Sequence, residues 1–161
     1  MAKTSVVIVG GGYIGATLAK SLETDLDVTL IEPRDRFVHA PAMVRGLVDS
    51  AVREHALIPY HKLLTKGRLV KSRATAVRAE TVVTAAGDEI QADYIVLSPG
   101  ASNGSIFKPG DETIDAFRTA QGQTEQRIKD AGTIVIVGAG AVGIELAGEI
   151  LHRHPTKALS L

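Results

Sequence analysis

The chain has no cysteine among its 161 residues. Disulfide bonds, thiolate metal sites and a redox-active cysteine pair are therefore excluded, and a disulfide-reductase mechanism is excluded with them. The histidines His152 and His154 do not suggest a metal pair, because they lie where a helix is expected to end before Pro155. We expect a solvated helix terminus there and no metal site.

The chain also lacks an excess of either charge, because 18 basic residues balance 18 acidic ones. A balanced chain has no global field that would recruit nucleic acid, so no nucleic-acid partner is expected. No apolar run approaches the roughly 18 residues of a membrane span, and no integral membrane segment is expected. The N-terminus has no signal-peptide layout, and Ala2 stands where a myristoylation signal needs glycine. We expect a soluble, cytoplasmic protein.

One glycine signature occurs twice, as VVIVGGGYIGATLA near the start and IVIVGAGAVGIELA near the end. Each copy places β-branched residues before G-x-G-x-x-G and a helix pattern after it, which is the context that gives the motif meaning. Each copy predicts a strand, a tight turn and a helix whose N-terminal N–H groups face a pyrophosphate. The predicted cofactor-binding residues of the first copy are Gly10, Gly11, Gly12, Tyr13, Ile14 and Gly15.

The first copy is completed by DVTLIE, a second strand that ends in Glu32, 22 positions after Gly10. That spacing is typical of a carboxylate that binds a nucleotide ribose. A solvated residue at a strand end is the alternative for an isolated glutamate. Because Glu32 follows a glycine signature at this spacing, we favour a role in nucleotide binding for it.

The second copy, with Gly138, Gly140 and Gly143, predicts an NAD(P)-binding turn and helix. Aligning VTLIE with ALSL places the last residue of this sequence one position before the residue that would contact the ribose. An acidic residue there favours the free 2′-hydroxyl, and a neutral or basic one favours the 2′-phosphate. The choice between NADH and NADPH therefore stays open.

The rest of the chain predicts a mixed α/β fold. The segments LVKSRATAV, TVVTAAG and DEI favour an antiparallel β-meander over 69–92, and a polar helix interrupted at Gly122 is expected to follow. The prolines Pro33, Pro41 and Pro59 favour an irregular stretch after the second strand. The remaining predicted elements are strands at 5–10, 27–32 and 93–98 and a helix at 13–24.

The order of GGGYIG, an acid-ended strand, a meander, DYIVLSPG and GAGAVG resembles the first half of the two-dinucleotide-binding-domain flavoproteins. The pattern of Phe37, His39, Ala42 and Arg45 is similar to their cysteine-free branch of ferroptosis-suppressor-like and apoptosis-inducing-factor-like oxidoreductases. The resemblance implies a Rossmann-like FAD/NAD(P)-binding fold with a parallel sheet, helices and a meander. The predicted division is an FAD-binding domain at 1–110, a connecting helix at 111–131 and an incomplete NAD(P)-binding unit at 132–161.

The resemblance implies FAD as cofactor and NAD(P)H as co-substrate. Hydride would pass from nicotinamide to flavin, and electrons would pass on to a quinone or other small acceptor. It places Arg45 and Gly100 against FAD and Glu145 near the nicotinamide, where Glu145 is the candidate catalytic residue. A surface arginine that caps a helix and a glutamate that interacts with a helix N-terminus are the alternatives. His39 either lies near the flavin or packs within a loop.

Full members of the resembled family are considerably longer, so we expect this sequence to be an N-terminal portion. Its partial second unit is too small to bury its own apolar faces. The alternative to a fragment is that this unit packs against another copy of the chain. In that case the strand Ile134 to Val137 is expected to extend a sheet and stabilise a homodimer. A non-catalytic FAD-binding or assembly module, with no turnover, is the second functional hypothesis.

Overall fold

A computed structural model describes residues 3–101, 105–110 and 113–161. The chain forms two compact units. The first contains Met1–Phe37 and Ile58–Ala101, and the second contains Val38–Leu57 and Ser102–Leu161. In chain order the elements are β1 (Ser5–Val9), α1 (Tyr13–Leu22), β2 (Asp27–Ile31), β3 (Arg36–Val38), α2 (Ala42–Gly46), α3 (Ser50–His55), β4 (Leu57–Pro59), α4 (Tyr60–Leu63), β5 (Arg68–Val70), β6 (Ala74–Val77), β7 (Thr81–Thr84), β8 (Glu89–Gln91), β9 (Tyr94–Leu97), α5 (Ile114–Asp130), β10 (Thr133–Val135), α6 (Ala141–Arg153) and β11 (Ala158–Ser160).

The first unit is built on a parallel sheet with the strand order β5-β2-β1-β9. Strand β1 lies in the middle, and its residue Val7 pairs with Thr29 on one side and with Ile95 on the other. The consecutive residues Val6, Val7 and Ile8 are each at most 3% exposed. Burial on both faces explains why this strand is continuously apolar, as expected for a central parallel strand. The mixed α/β fold predicted from the sequence is confirmed.

The predicted β-meander is present, but it begins later than expected. Strands β6, β7 and β8 form a three-stranded antiparallel sheet. The first predicted segment, with Leu69 and Val70, instead pairs in parallel with β2 as β5. The physical reason is that Leu69 packs against the core under α1, while Val70 packs with Val7 and Ile31 on the other face of the sheet.

Helix α1 packs on the sheet through small residues. Gly15, Ala16 and Ala19 are its buried residues, and they let the helix approach the strands closely. Its C-terminus is anchored by the buried carboxylate of Glu23, which accepts hydrogen bonds of 2.8 Å from Lys20 Nζ and from three successive backbone N–H groups. Those N–H groups belong to Thr65, Lys66 and Gly67.

The second unit packs short and long helices around two apolar clusters. Met43, Leu57 and Phe117 are core residues of one cluster, and Leu47 and Ile150 belong to the other. The stretch after β2 that was expected to be irregular therefore contains the short helices α2 and α3. Asp49 caps α3 by accepting hydrogen bonds from two backbone N–H groups at its start.

Helix α5 runs through Gly122 without a break, so the predicted interruption is wrong. A single glycine costs a helix only about 1 kcal/mol relative to alanine. Burial of one face holds the helix together, since Ile114, Phe117, Gln121 and Glu125 are all buried. Glu125 also pairs with the buried Arg53 of α3 at 3.0 Å.

The second unit ends in strand β10, helix α6 and strand β11, as the sequence predicts. Strands β10 and β11 pair in parallel, with Ile134 opposite Leu159. Val135 and Val137 are 68% and 97% exposed, so much of the apolar surface of this segment is open to solvent. None of the described helices is both long and apolar enough to cross a bilayer.

Candidate functional site

The first glycine loop leaves β1 by a turn that only glycine adopts readily. Gly10 has a φ of 97°, and its N–H donates to Ile31 O at 2.9 Å. Gly12 then stands at the N-cap of α1 in an extended conformation, and no side chain of the described residues caps the helix there. A Cβ at Gly12 would meet no described atom within 4 Å, so the approach to this backbone is open.

Gly15 is required because the helix lies directly on the turn. A Cβ at Gly15 would overlap the carbonyl oxygen of Gly10 and would lie 2.7 Å from Ser98 Oγ. The Ser98 hydroxyl approaches the carbonyls of Gly10 at 3.0 Å and Val9 at 3.1 Å. The loop is thereby tied to the end of β9 as well as to β2.

The carboxylate of Glu32 lies directly behind the loop, 2% exposed. It accepts a hydrogen bond from the backbone N–H of Gly11 at 2.8 Å. Its other oxygen accepts from Arg34 Nε at 2.7 Å and from Arg34 N at 3.1 Å. The sequence spacing therefore brings Glu32 to the loop, and ribose binding by this carboxylate stays a prediction.

Tyr60 belongs to the same site, although no sequence pattern pointed to it. Its hydroxyl donates to Gly11 O at 2.5 Å, and its ring is 2% exposed within the core under α1. Burial raises the pKa of Tyr60, and the charge of Glu32 raises it further. The phenol therefore keeps its proton and acts as a donor.

The remaining predicted residues of the first site lie around the open side of the loop. Tyr13 and Ile14 are 48% and 72% exposed on the first turn of α1. The Tyr13 ring meets the Phe37 ring edge to face, with their centres 5.0 Å apart. Gly100 follows β9 with a φ of 74°, which favours glycine. These positions suit ligand contact, and their cofactor role stays a prediction.

The second glycine loop, in the other unit, repeats the backbone geometry of the first. Gly138 has a φ of 111°, and Gly140 is the extended N-cap of α6, again uncapped by any described side chain. A Cβ at Gly143 would overlap the carbonyl oxygen of Gly138. The predicted role of these three glycines in NAD(P) binding is compatible with this geometry.

The two charged residues predicted for the cofactors lie close together in the second unit. The Arg45 guanidinium pairs with Glu149 of α6, with N to O distances of 2.8 and 2.9 Å. This hydrogen bond and the charges of Glu149 and Glu145 raise the pKa of Arg45. Glu145 is exposed on α6, and His39 is exposed after β3 with its N–H bonded to Ala56 O. Their predicted roles toward FAD and nicotinamide stay predictions.

Two family profiles match the chain. One matches residues 5–88 and the other matches residues 60–157, and both are described as pyridine nucleotide-disulphide oxidoreductase. Between them they cover both glycine loops and the meander.

Curated relatives align over nearly the whole chain. Apoptosis-inducing factor homolog B of Dictyostelium discoideum is 33% identical over 161 residues, covering 96% of this chain and 41% of the relative. Ferroptosis suppressor protein 1 of Xenopus laevis is 28% identical over 163 residues, covering 97% and 42%. The chain therefore spans about two fifths of the length of these relatives.

Solved structures share the fold. The sulfide:quinone oxidoreductase of Aquifex aeolicus superposes with a TM-score of 0.71 at 23% identity, covering 97% of this chain and 42% of that one. NADH:rubredoxin oxidoreductase from Clostridium acetobutylicum superposes with a TM-score of 0.63 at 19% identity, covering 99% and 44%. At these identities the likeness establishes the architecture.

Proposed function

Because the chain belongs to the pyridine nucleotide-disulphide oxidoreductase family, we propose that it is the N-terminal portion of a flavin-dependent NAD(P)H oxidoreductase. When bound, FAD would accept hydride from nicotinamide and pass electrons to a quinone or other small acceptor. This portion has no cysteine, so no residue of it would serve as a cysteine relay between flavin and acceptor.

The first glycine loop carries this proposal, because its geometry fits a dinucleotide. The space beside Gly12 is open, and the uncapped N-terminus of α1 presents N–H groups and a partial positive charge to a pyrophosphate. Glu32, bonded to the neighbouring Gly11, would hold the ribose of the adenosine part. Gly10, Tyr13, Ile14, Gly15 and Gly100 complete the proposed FAD surface.

The second glycine loop would hold NAD(P)H in the same way. The positive φ of Gly138 and the open N-cap at Gly140 support a pyrophosphate site at α6. Glu145, exposed on the second turn of α6, would lie toward the nicotinamide. Arg45 would contribute a positive charge toward FAD, and its guanidinium is 60% exposed beside Glu149.

When this chain is produced by itself, a homodimer is its proposed assembly. Val135 and Val137 expose apolar surface that a second copy would cover. Multi-angle light scattering measures this directly. A dimer mass supports the proposal, and a monomer mass over the accessible concentration range contradicts it.

The visible absorption spectrum of the purified chain tests the functional proposal. The protein is mixed with FAD, freed of unbound FAD by gel filtration, and reduced with NADH without oxygen. Retained flavin absorption that bleaches with NADH supports the oxidoreductase. Retained absorption that does not bleach would instead favour a non-catalytic FAD-binding or assembly module, and no retained flavin would contradict FAD binding by this chain.

A matched pair of glycine variants makes the test specific to the loop. Added side chains at Gly12 and at Gly122 of α5 both meet open space within the described structure, so both variants should fold. We expect Gly12→Leu to abolish FAD retention by blocking the pyrophosphate and Gly122→Leu to retain it. Equal retention by the two variants would place the cofactor elsewhere.

A further inference from the structure

Both polar groups of the Gly11 residue are bound by buried side chains. Its N–H donates to Glu32 at 2.8 Å, and its carbonyl accepts from the Tyr60 hydroxyl at 2.5 Å. Both side chains are only 2% exposed. A Cβ at Gly11 would overlap Tyr60 Oη and lie 3.0 Å from Glu32 Cγ, so the two side chains enclose this residue.

The direction of the Gly11 carbonyl determines the direction of the next N–H group. No cis peptide bond occurs among the described residues, and in a trans peptide the C=O and the following N–H point to opposite sides. Because the Gly11 carbonyl faces the buried Tyr60 hydroxyl, the Gly12 N–H faces away from the core. The position that a Cβ of Gly12 would occupy is also open, with no described atom within 4 Å.

We propose that Tyr60 is a positioning residue of the dinucleotide site, holding the Gly11 carbonyl inward so that the Gly12 N–H is aimed at the diphosphate of the ligand. This inference rests on the proposed function of the first glycine loop. Tyr60 acts through the loop, because its hydroxyl donates its proton to the Gly11 carbonyl and its ring is packed in the core. Its hydroxyl contributes orientation, and its ring contributes to the core with Val6, Ile8 and Leu30.

The test separates these two contributions of Tyr60. Tyr60→Phe removes the hydroxyl and keeps the ring, while Leu64→Ala weakens the same core cluster without touching the loop. Binding of ADP, which carries the diphosphate, is compared with binding of adenosine, which lacks it, by titration well below the melting temperature of each variant. We expect Tyr60→Phe to weaken ADP about tenfold and adenosine less than about twofold, as for one hydrogen bond to the diphosphate.

The control should leave both affinities unchanged. Equal weakening of ADP and adenosine in Tyr60→Phe, or unchanged ADP binding, would overturn the positioning role. The same pattern in Leu64→Ala as in Tyr60→Phe would show that core stability alone explains the effect.

A measurement without ligand distinguishes this inference from the proposed function. In ¹⁵N-labelled protein, the Gly11 and Gly12 amide signals should shift and broaden in Tyr60→Phe and stay in place in Leu64→Ala. If the unmutated chain binds neither ADP nor FAD, the proposed function fails. Unchanged Gly11 and Gly12 signals in Tyr60→Phe overturn the inference by themselves, whatever the unmutated chain binds.

Discussion

In both glycine loops the glycine at the first position of G-x-G-x-x-G has a positive φ. The glycine at the third position is extended at a helix N-cap, and the glycine at the sixth position lies against the carbonyl of the first. Their surroundings differ. The first loop follows the central strand of a four-stranded sheet, and the second follows a strand that pairs with one neighbour. A Cβ at Gly10 would overlap Ser98 O, whereas a Cβ at Gly138 would meet no described atom within 4 Å.

The difference separates what the loop's own sequence determines from what other elements of the fold supply. The backbone conformation does not require the surroundings that differ, because both copies adopt it. Support by side chains is not local, since Glu32, Tyr60 and Ser98 all come from other elements. In the second unit Val137, immediately before its loop, is 97% exposed. The two loops should therefore respond differently to the same perturbation.

The largest expected contrast comes from adding one methyl group to each loop. Gly15→Ala should destabilise the first unit by about 3 kcal/mol, because the Gly10 carbonyl is held near Ser98 and cannot move aside. Gly143→Ala should cost only about 1 kcal/mol, because the loop at Gly138 has room to shift. Urea denaturation, monitored by hydrogen exchange of the amides in each unit, measures the loss of unfolding free energy in both variants. Equal losses would show that the surroundings do not matter.

The second contrast concerns the C-terminal ends of α1 and α6, the helices that follow the two glycine loops. Although burial alone raises the pKa of Glu23, hydrogen bonds from Lys20 and from the N–H groups of residues 65–67 lower it well below its ordinary value of 4.5. Glu23→Gln should therefore destabilise the first unit by about 2 kcal/mol at pH 7. The exposed Glu80→Gln is the control and should have little effect on the urea midpoint.

The acid dependence of Glu23 follows from the direction of its shift. A carboxyl whose pKa is lowered by folding contributes its full stability above its unfolded pKa and loses it as the pH falls further. The first unit should therefore lose stability below about pH 4.5, and Glu23→Gln should lose less. An identical acid profile for both proteins would contradict the anchoring role of Glu23.

A smaller acid effect is expected at the end of α6, where His154 takes the C-cap position. The sequence predicts a solvated helix terminus here, but the Nε2 of His154 is buried and has no hydrogen-bond partner among the described residues. Burial lowers the pKa of His154, and the charges of Lys157, Arg153 and Lys129 lower it further. A histidine with a lowered pKa stabilises the fold above its unfolded value of 6.5 and opposes folding below it.

The second unit should thus begin to loosen below about pH 6.5, before the first unit does. Hydrogen exchange measured between pH 7 and pH 5 should show faster opening around α6 and not around α1. His154→Asn should remove this dependence. If both units lose protection from hydrogen exchange at the same pH, and His154→Asn does not change this, His154 is not the cause.

The smallest stability effect is expected at the ion pair of Arg45 and Glu149. The Arg45 side chain is 60% exposed and that of Glu149 is 14% exposed. An ion pair with one exposed partner contributes little, so Arg45→Ala and Glu149→Ala should change the urea midpoint only slightly. Their effects on FAD should differ. Arg45→Ala should weaken FAD retention, whereas Glu149→Ala frees the guanidinium and should not. If both variants retain FAD as the unmutated chain does, Arg45 has no role toward FAD and only its contact with Glu149 is left.

The sequence was most informative for features that depend on one continuous stretch of residues. The apolar run of β1, the glycine spacing and the 22-residue distance to Glu32 predicted the strand, the turn and the carboxylate behind it. These features depend on backbone sterics and on the alternation of strand and helix, and both are determined by residues that are close in sequence. The strand at residues 94–97 was recognisable for the same reason, because its apolar run is bounded by Asp93 and Pro99.

The features that were missed depend on remote partners. Tyr60 lies 49 residues from the carbonyl that it binds, and nothing in YHKL indicates a contact with Gly11. Strand β5 has only three residues, and its place beside β2 is decided by packing on both faces of the sheet. The continuity of α5 through Gly122 depends on burial of its apolar face in the second unit. Propensity alone does not predict such tertiary effects.

The bond between Tyr60 and Gly11 also sets an order of events during synthesis. A ribosome that has released β1, α1 and β2 has produced the glycine loop and Glu32, but the hydroxyl that holds the Gly11 carbonyl has not yet emerged. At roughly 5–20 residues per second, the 28 positions from Glu32 to Tyr60 take a few seconds to synthesise. With Tyr60 in its proposed role, the loop is expected to reach full affinity for a dinucleotide only after α4 has been made and the Tyr60 hydroxyl has bonded to the Gly11 carbonyl.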